Sequence, residues 1–310
     1  MKKIVFLGTP DFAVESLKEI NENENISVEL VISQIDKKRN RGKYQPTPVK
    51  EYAIENDLEV ITPKDINSND VYEQLIKINP DLLIVVAYGQ IIGDRLLNTF
   101  KDKIINLHSS TLPKYRGAAP INWAIIEGDK ESGITIMLVD KKLDTGDILK
   151  IENTDIEANE TAESLHDRLM VLGAKALVEV INNYEEYYSN KTKQNESLAI
   201  YKGMLKKSMG RINWQDDLNK IYNKFRGMYP WPGCFFEYED KNIKVHDMEK
   251  IEEINNSELG KVLSVNDEGI KISVKGGYII LKKIQFPNKK AMEVKDFLKG
   301  NNFKENIILR

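Results

Sequence analysis

Over its first half the chain alternates short β-rich runs with helical patterns, and this alternation constrains the fold more than any other feature. The expected strands are 3–7, 28–32, 58–61, 81–87, 103–108 and 133–139. Several are nearly continuous apolar runs, as in strands covered by helices on both faces. A helix is expected over 48–55, with Thr47 placed to cap its first turn and Pro48 at the first helical position. Another runs over 71–78, after the start signal Ser68. Strand–helix alternation of this kind predicts an α/β fold with an open, Rossmann-like, mostly parallel sheet whose ligands gather at the C-terminal strand ends.

A long helix is expected from Thr161 to Tyr187, with Leu165, Leu169, Leu172, Ala176 and Val180 along one face. The stretch 189–197 is polar, aperiodic and reads as a linker. The expected division is therefore a catalytic domain over 1–188, a linker over 189–205 and a C-terminal domain over 206–310. That last part carries one helical pattern, 218–228, and then short strands at 234–238, 243–248, 260–265, 270–274 and 278–284. Short strands separated by Gly and Asn turns predict a small OB-like β-barrel.

Composition limits the function classes. The longest apolar run, Leu82–Tyr88, is strand-sized and cannot span a bilayer. The N-terminus meets Gly8 and Pro10 too soon to form the apolar core of a signal peptide, so a cytoplasmic location is expected. The lone Cys234 excludes an internal disulfide framework and a Cys-based zinc cluster. The net charge of −3 hides a division: residues 206–310 hold 17 Lys and 3 Arg against 15 acidic residues, net +5, and the remainder is −8. A basic C-terminal third points to a polyanionic partner at that end.

The first strand ends in Gly8-Thr-Pro-Asp-Phe-Ala13, a tight strand-to-helix turn without the glycine spacing of a dinucleotide site. Neither that fingerprint nor a Walker A sequence occurs, which disfavours dehydrogenases and P-loop enzymes. The informative block is Asn106-Leu-His108-Ser-Ser-Thr-Leu-Pro113-Lys-Tyr-Arg116-Gly117. Strand residues alternate faces, so Asn106 and His108 point the same way at a C-terminal strand end. Asp144, in Leu143-Asp-Thr-Gly-Asp147, follows the next strand and stands within reach of His108. A carboxylate beside an imidazole suits proton transfer, and an amide donor suits an oxyanion. With no Gly-x-Ser-x-Gly nucleophile elbow, the residues point to acyl transfer between two bound substrates.

These stretches, with Val86-Ala-Tyr-Gly89, Leu112-Pro-x-x-Arg-Gly-Ala-Ala-Pro120, Arg211-Ile-Asn-Trp214, Pro230-Trp-Pro232 and Lys289-Lys-Ala-Met292, resemble the methionyl-tRNA formyltransferases over nearly the whole chain. The resemblance implies that Asn106, His108 and Asp144 are catalytic and that Ser110, Thr111, Leu112 and Pro113 contact the donor, 10-formyltetrahydrofolate. Thr111 stands where the family usually has Leu, and Asn288 where it usually has Gly. The basic run Lys37, Lys38, Arg39, Arg41 and Lys43 would reach the acceptor stem of initiator methionyl-tRNA. No metal, nicotinamide cofactor, membrane or stable protein partner is implied. The alternatives are an amino-sugar N-formyltransferase using the same donor and a non-catalytic tRNA-binding protein.

Overall fold

In the computed structural model, residues 1–39 and 43–309 are described. The chain forms two compact units, one of residues 1–120, 132–154 and 166–202, the other of 121–131, 155–165 and 203–310.

In chain order the first half contains β1 (Lys2–Gly8), α1 (Asp11–Asn21), β2 (Ile26–Ile32), β3 (Lys37–Arg39), β4 (Lys43–Gln45), α2 (Pro48–Glu55), β5 (Val60–Ile61) and α3 (Asn69–Ile78). There follow β6 (Leu82–Val86), α4 (Asp94–Thr99), β7 (Ile104–His108), β8 (Arg116–Gly117), α5 (Pro120–Ile126), β9 (Glu131–Leu138), β10 (Ile148–Asp155), α6 (Ala162–Asn182), α7 (Tyr184–Ser189) and β11 (Tyr201–Lys202). Seven strands make one sheet in the order β10-β9-β7-β6-β1-β2-β5. Those from β7 to β5 in that order run parallel, and β9 is antiparallel to β7. The mostly parallel sheet is as expected. Connections leave β1 toward β2 on one side, and the chain later continues on the other through β6 and β7. That reversal opens a crevice at the C-terminal strand ends.

The apolar runs are buried as their composition demands: Ile4, Val5, Phe6 and Leu7 of β1 have no solvent exposure. Val5, Leu7, Leu30, Ile32, Leu75 and Leu83 belong to one core cluster of this unit. Thr47 Oγ1 accepts from Lys50 N and caps α2, as expected. Ser68 occupies the N-cap position of α3 without a side-chain cap bond. The single helix expected over 161–187 is instead two, α6 and α7, separated at Asn183. There the Asn183 amide donates to Glu179 O (3.0 Å). A side chain that bonds its own preceding turn competes with helix propagation. The polar stretch after α7 lies along the first unit: Thr192 and Ile148 exchange backbone hydrogen bonds, and β11 pairs with β8.

The second unit holds α5, α8 (Leu218–Met228), β12 (Cys234–Tyr238), β13 (Lys241–Glu252), β14 (Val262–Asn266), β15 (Gly269–Val274), β16 (Gly277–Gln285), β17 (Met292–Glu293) and α9 (Val294–Leu298). Its sheet is antiparallel, in the order β12-β13-β16-β15-β14 with β17 on β16. Register shifts between Val245 and Met248 break the β13–β16 ladder. Such irregularities bend a strand and let a small sheet curl, in keeping with the OB-like expectation. Trp214, Phe236, Ile243, Ile272 and Leu281 are buried in this unit. Among the described residues, no helix is long and apolar enough to cross a membrane.

Candidate active site

β7 carries Asn106 and His108 two residues apart at its C-terminal end, and the two-residue period of a strand sets both on one face. Their neighbours Ile105 and Leu107 are buried. Beyond His108 the chain turns back over the strand end. Thr135, opposite His108 on β9, organises that turn with one hydroxyl, which donates to Ser110 O (2.7 Å) and accepts from Leu112 N (3.0 Å). Ser110 Oγ donates to Lys114 O at 2.6 Å. Ser110 and Leu112 are buried, Thr111 and Pro113 partly exposed, and the Leu112–Pro113 bond is cis.

The returning loop brings the Tyr115 carbonyl to 3.0 Å from His108 Nε2. A carbonyl can only accept, so this contact assigns the proton to Nε2 and leaves Nδ1 as the basic atom of the neutral ring. Nδ1 faces Asp144 Oδ2 at 3.8 Å. That is within ion-pair range and beyond a direct hydrogen bond. His108 is 7% exposed, so little solvent screens the pair. Oδ2 also accepts from Gly117 N at 2.8 Å, which aims the carboxylate.

Local sequence explains the acidic turn. Asp144 has φ +56°, a left-handed conformation that Asp tolerates better than most residues. Thr145 Oγ1 donates to Asp140 Oδ1 at 2.6 Å. A Cβ at Gly146 would lie 1.8 Å from Leu138 O, so the turn's contact with β9 requires glycine.

The structure thus brings His108 and Asp144 together, with Asn106 on the same strand. The stretch Ser110–Pro113 belongs to the loop above them. The basic run is a hairpin in its backbone, Lys37 opposite Gln45, Lys38 opposite Tyr44 and Arg39 opposite Lys43. Arg41 lies outside the described residues. The sequence reading missed the Tyr115 carbonyl, the Gly117 amide and Thr135, whose roles depend on how the chain after β7 folds back over the strand end and meets the Asp144 turn.

It also missed Arg116, whose side chain is fully buried. Its Nε and Nη2 donate to Gln194 Oε1 (3.0 and 2.8 Å), and Nη1 and Nη2 to the Glu196 carboxylate (3.0 and 2.8 Å). The Glu196 hydrogen bond pushes the guanidinium pKa up, and Arg116 in turn holds the Glu196 carboxyl below its ordinary range. The Pro-x-x-Arg-Gly motif was visible, but its acidic partner lies 80 residues away in a stretch without periodicity. Among the described residues, no group of three or more His, Cys, Asp or Glu side chains is placed to hold a metal ion.

A Rossmann-like sheet with this cluster at its strand ends, followed by an antiparallel β unit, is the plan of a formyl transferase. The formyl transferase family matches residues 2–181, and the family's C-terminal domain matches residues 204–302. A methionyl-tRNA formyltransferase of Finegoldia magna is 50% identical over 99% of this chain and 99% of its own. That of Clostridium novyi is 44% identical over 99% of this chain and its whole length. Among solved structures, the sugar 3-N-formyltransferase WlaRD, crystallised in the presence of dTDP and 5-N-formyl-THF, is 23% identical with a TM-score of 0.68, covering 94% of this chain and 99% of that one. The chain belongs to the methionyl-tRNA formyltransferase family, and it is a transferase.

Proposed function

We propose that the protein moves a formyl group from 10-formyltetrahydrofolate to the α-amine of methionyl-initiator tRNA, in the cytoplasm, for translation initiation. The observation that carries the mechanism is the His108 Nδ1–Asp144 Oδ2 approach of 3.8 Å beside Asn106 at the end of β7. Family membership supports this donor and this acceptor. The neutral amine adds to the formyl carbon, and the formyl oxygen becomes an oxyanion that accepts from the Asn106 amide. His108 takes the amine proton on Nδ1 and becomes a cationic neighbour of that oxyanion, with Asp144 balancing its charge. Collapse breaks the bond between the formyl carbon and N10, and His108 returns the proton to the departing nitrogen of tetrahydrofolate.

Ser110, Thr111, Leu112 and Pro113 hold the folate in this reading, the partly exposed Thr111 and Pro113 facing it and the buried Ser110 and Leu112 fixing the loop through their bonds to Lys114 and Thr135. Lys37, Lys38, Arg39, Arg41 and Lys43 contact acceptor-stem phosphates, which give affinity without sequence discrimination. In this reading catalysis belongs to residues 1–188 and tRNA binding to the basic 206–310. The reaction as written needs no metal.

The test is steady-state formylation by His108→Ala and Asp144→Asn. Each should lower kcat at least ~10²-fold, the usual scale for lost acid–base function, with the fold intact. A folded variant that turns over like its parent would remove the proposed roles.

A further inference from the structure

One side chain outside the proposed catalytic set links two parts of the site. Gln194 Oε1 accepts two bonds from Arg116, and Gln194 Nε2 donates to Asp144 O and Gly146 O, each at 2.9 Å. An amide has two donor hydrogens and two acceptor lone pairs, and all four are used here. Its orientation is forced, because a guanidinium only donates and carbonyls only accept. Arg116 is fully buried and also gripped by Glu196, so its guanidinium is a fixed anchor and not a site for a passing anion. Gly117, the next residue, supplies the N–H that holds the Asp144 carboxylate. Gln194 therefore ties together the two ends of one hydrogen bond: the strand that presents Gly117 N and the turn that presents Asp144.

We propose that Gln194 is a positioning residue for the formyl transfer, clamping the Asp144 turn to the Arg116–Gly117 strand so that the carboxylate stays aimed at His108. The proposal rests on the catalytic reading of Asp144 given above. Asp144 sits in the left-handed region, uncommon for any residue but glycine, and its turn also carries the exposed Leu143. Without the two amide donors, the carbonyls of Asp144 and Gly146 lose their partner and the turn is free to relax. The carboxylate then spends less time at the 3.8 Å approach to His108. Folate and tRNA contacts are untouched, so kcat should fall and KM should not.

The informative variant is Gln194→Glu, which keeps acceptors for Arg116 and removes both donors to the turn. In single-turnover formylation of methionyl-tRNA, it should lower the rate about tenfold and leave the donor KM within about twofold. Placed on Asp144→Asn, the same change should lower the remaining rate less than about twofold, because residues acting through one group are not additive. A general structural role would cost the same factor in both backgrounds, and that result overturns the proposal, as does an unchanged rate in the parent. Gln194→Asn, whose amide is one methylene short, decides by the same comparison if the Glu variant fails to fold. Asp144→Asn alone reports on the underlying reading: near-parental turnover there would sink the catalytic role of Asp144, whatever Gln194 does.

Discussion

With Nε2 committed to the Tyr115 carbonyl, His108 offers one basic atom, and that atom faces a carboxylate. The tautomer is thus set by a backbone group and not by the acid beside it. Cys234, by contrast, is chemically silent. Burial, opposed by the nearby Lys224 charge, pushes its thiol up to about 12 from 9.0. The unfolded thiol ionises first as pH rises, so the unfolded chain binds fewer protons and stability falls from about pH 9 upward. Between pH 8 and 10.5 the wild type should lose about 2 kcal/mol more unfolding free energy than Cys234→Ala, measured by urea titration. Equal losses would show that the thiol is not held neutral by the fold.

At the scale of elements, α2, α8 and β12 were legible in the sequence residue for residue, because each has a local cause. Thr47-Pro48 and Asp217 mark the two helix starts, and Cys234–Tyr238 follows a Gly turn. The face shared by Asn106 and His108 was equally legible, since it needs only the period of a strand. The two-residue strands β8 and β11 were not, because their pairing joins residues more than 80 apart and depends on Gly117 (φ +98°) approaching Lys202 O. The Gln194–Arg116 link was hidden for the same reason. The β3–β4 hairpin gave no strand signal among its charges, yet its basic composition carries a prediction of its own. Changing Lys38, Arg39, Arg41 and Lys43 to Ala should flatten the log K versus log salt slope for tRNA by about 0.9 for each phosphate no longer neutralised. Folate binding should be unaffected. An unchanged slope, read by filter binding across a salt series, would return these residues to ordinary solvated surface.

Across the whole molecule, the division of charge agrees with a division of labour: an acidic remainder that contains the His108 site and a basic C-terminal third suited to a polyanion. Sequence identity of 50% to a full-length methionyl-tRNA formyltransferase, against 23% to a sugar N-formyltransferase of similar fold, favours tRNA as the acceptor. Fold alone does not choose between them, since function resides in the site and the groups that deliver substrate to it. The most direct test is a competition with 10-formyltetrahydrofolate as donor and equal concentrations of methionyl-initiator tRNA and a dTDP-linked amino sugar as acceptors. Formyl label should appear on the methionyl amine of the tRNA and not on the sugar. Label on the amino sugar, with none on the tRNA, would contradict the account.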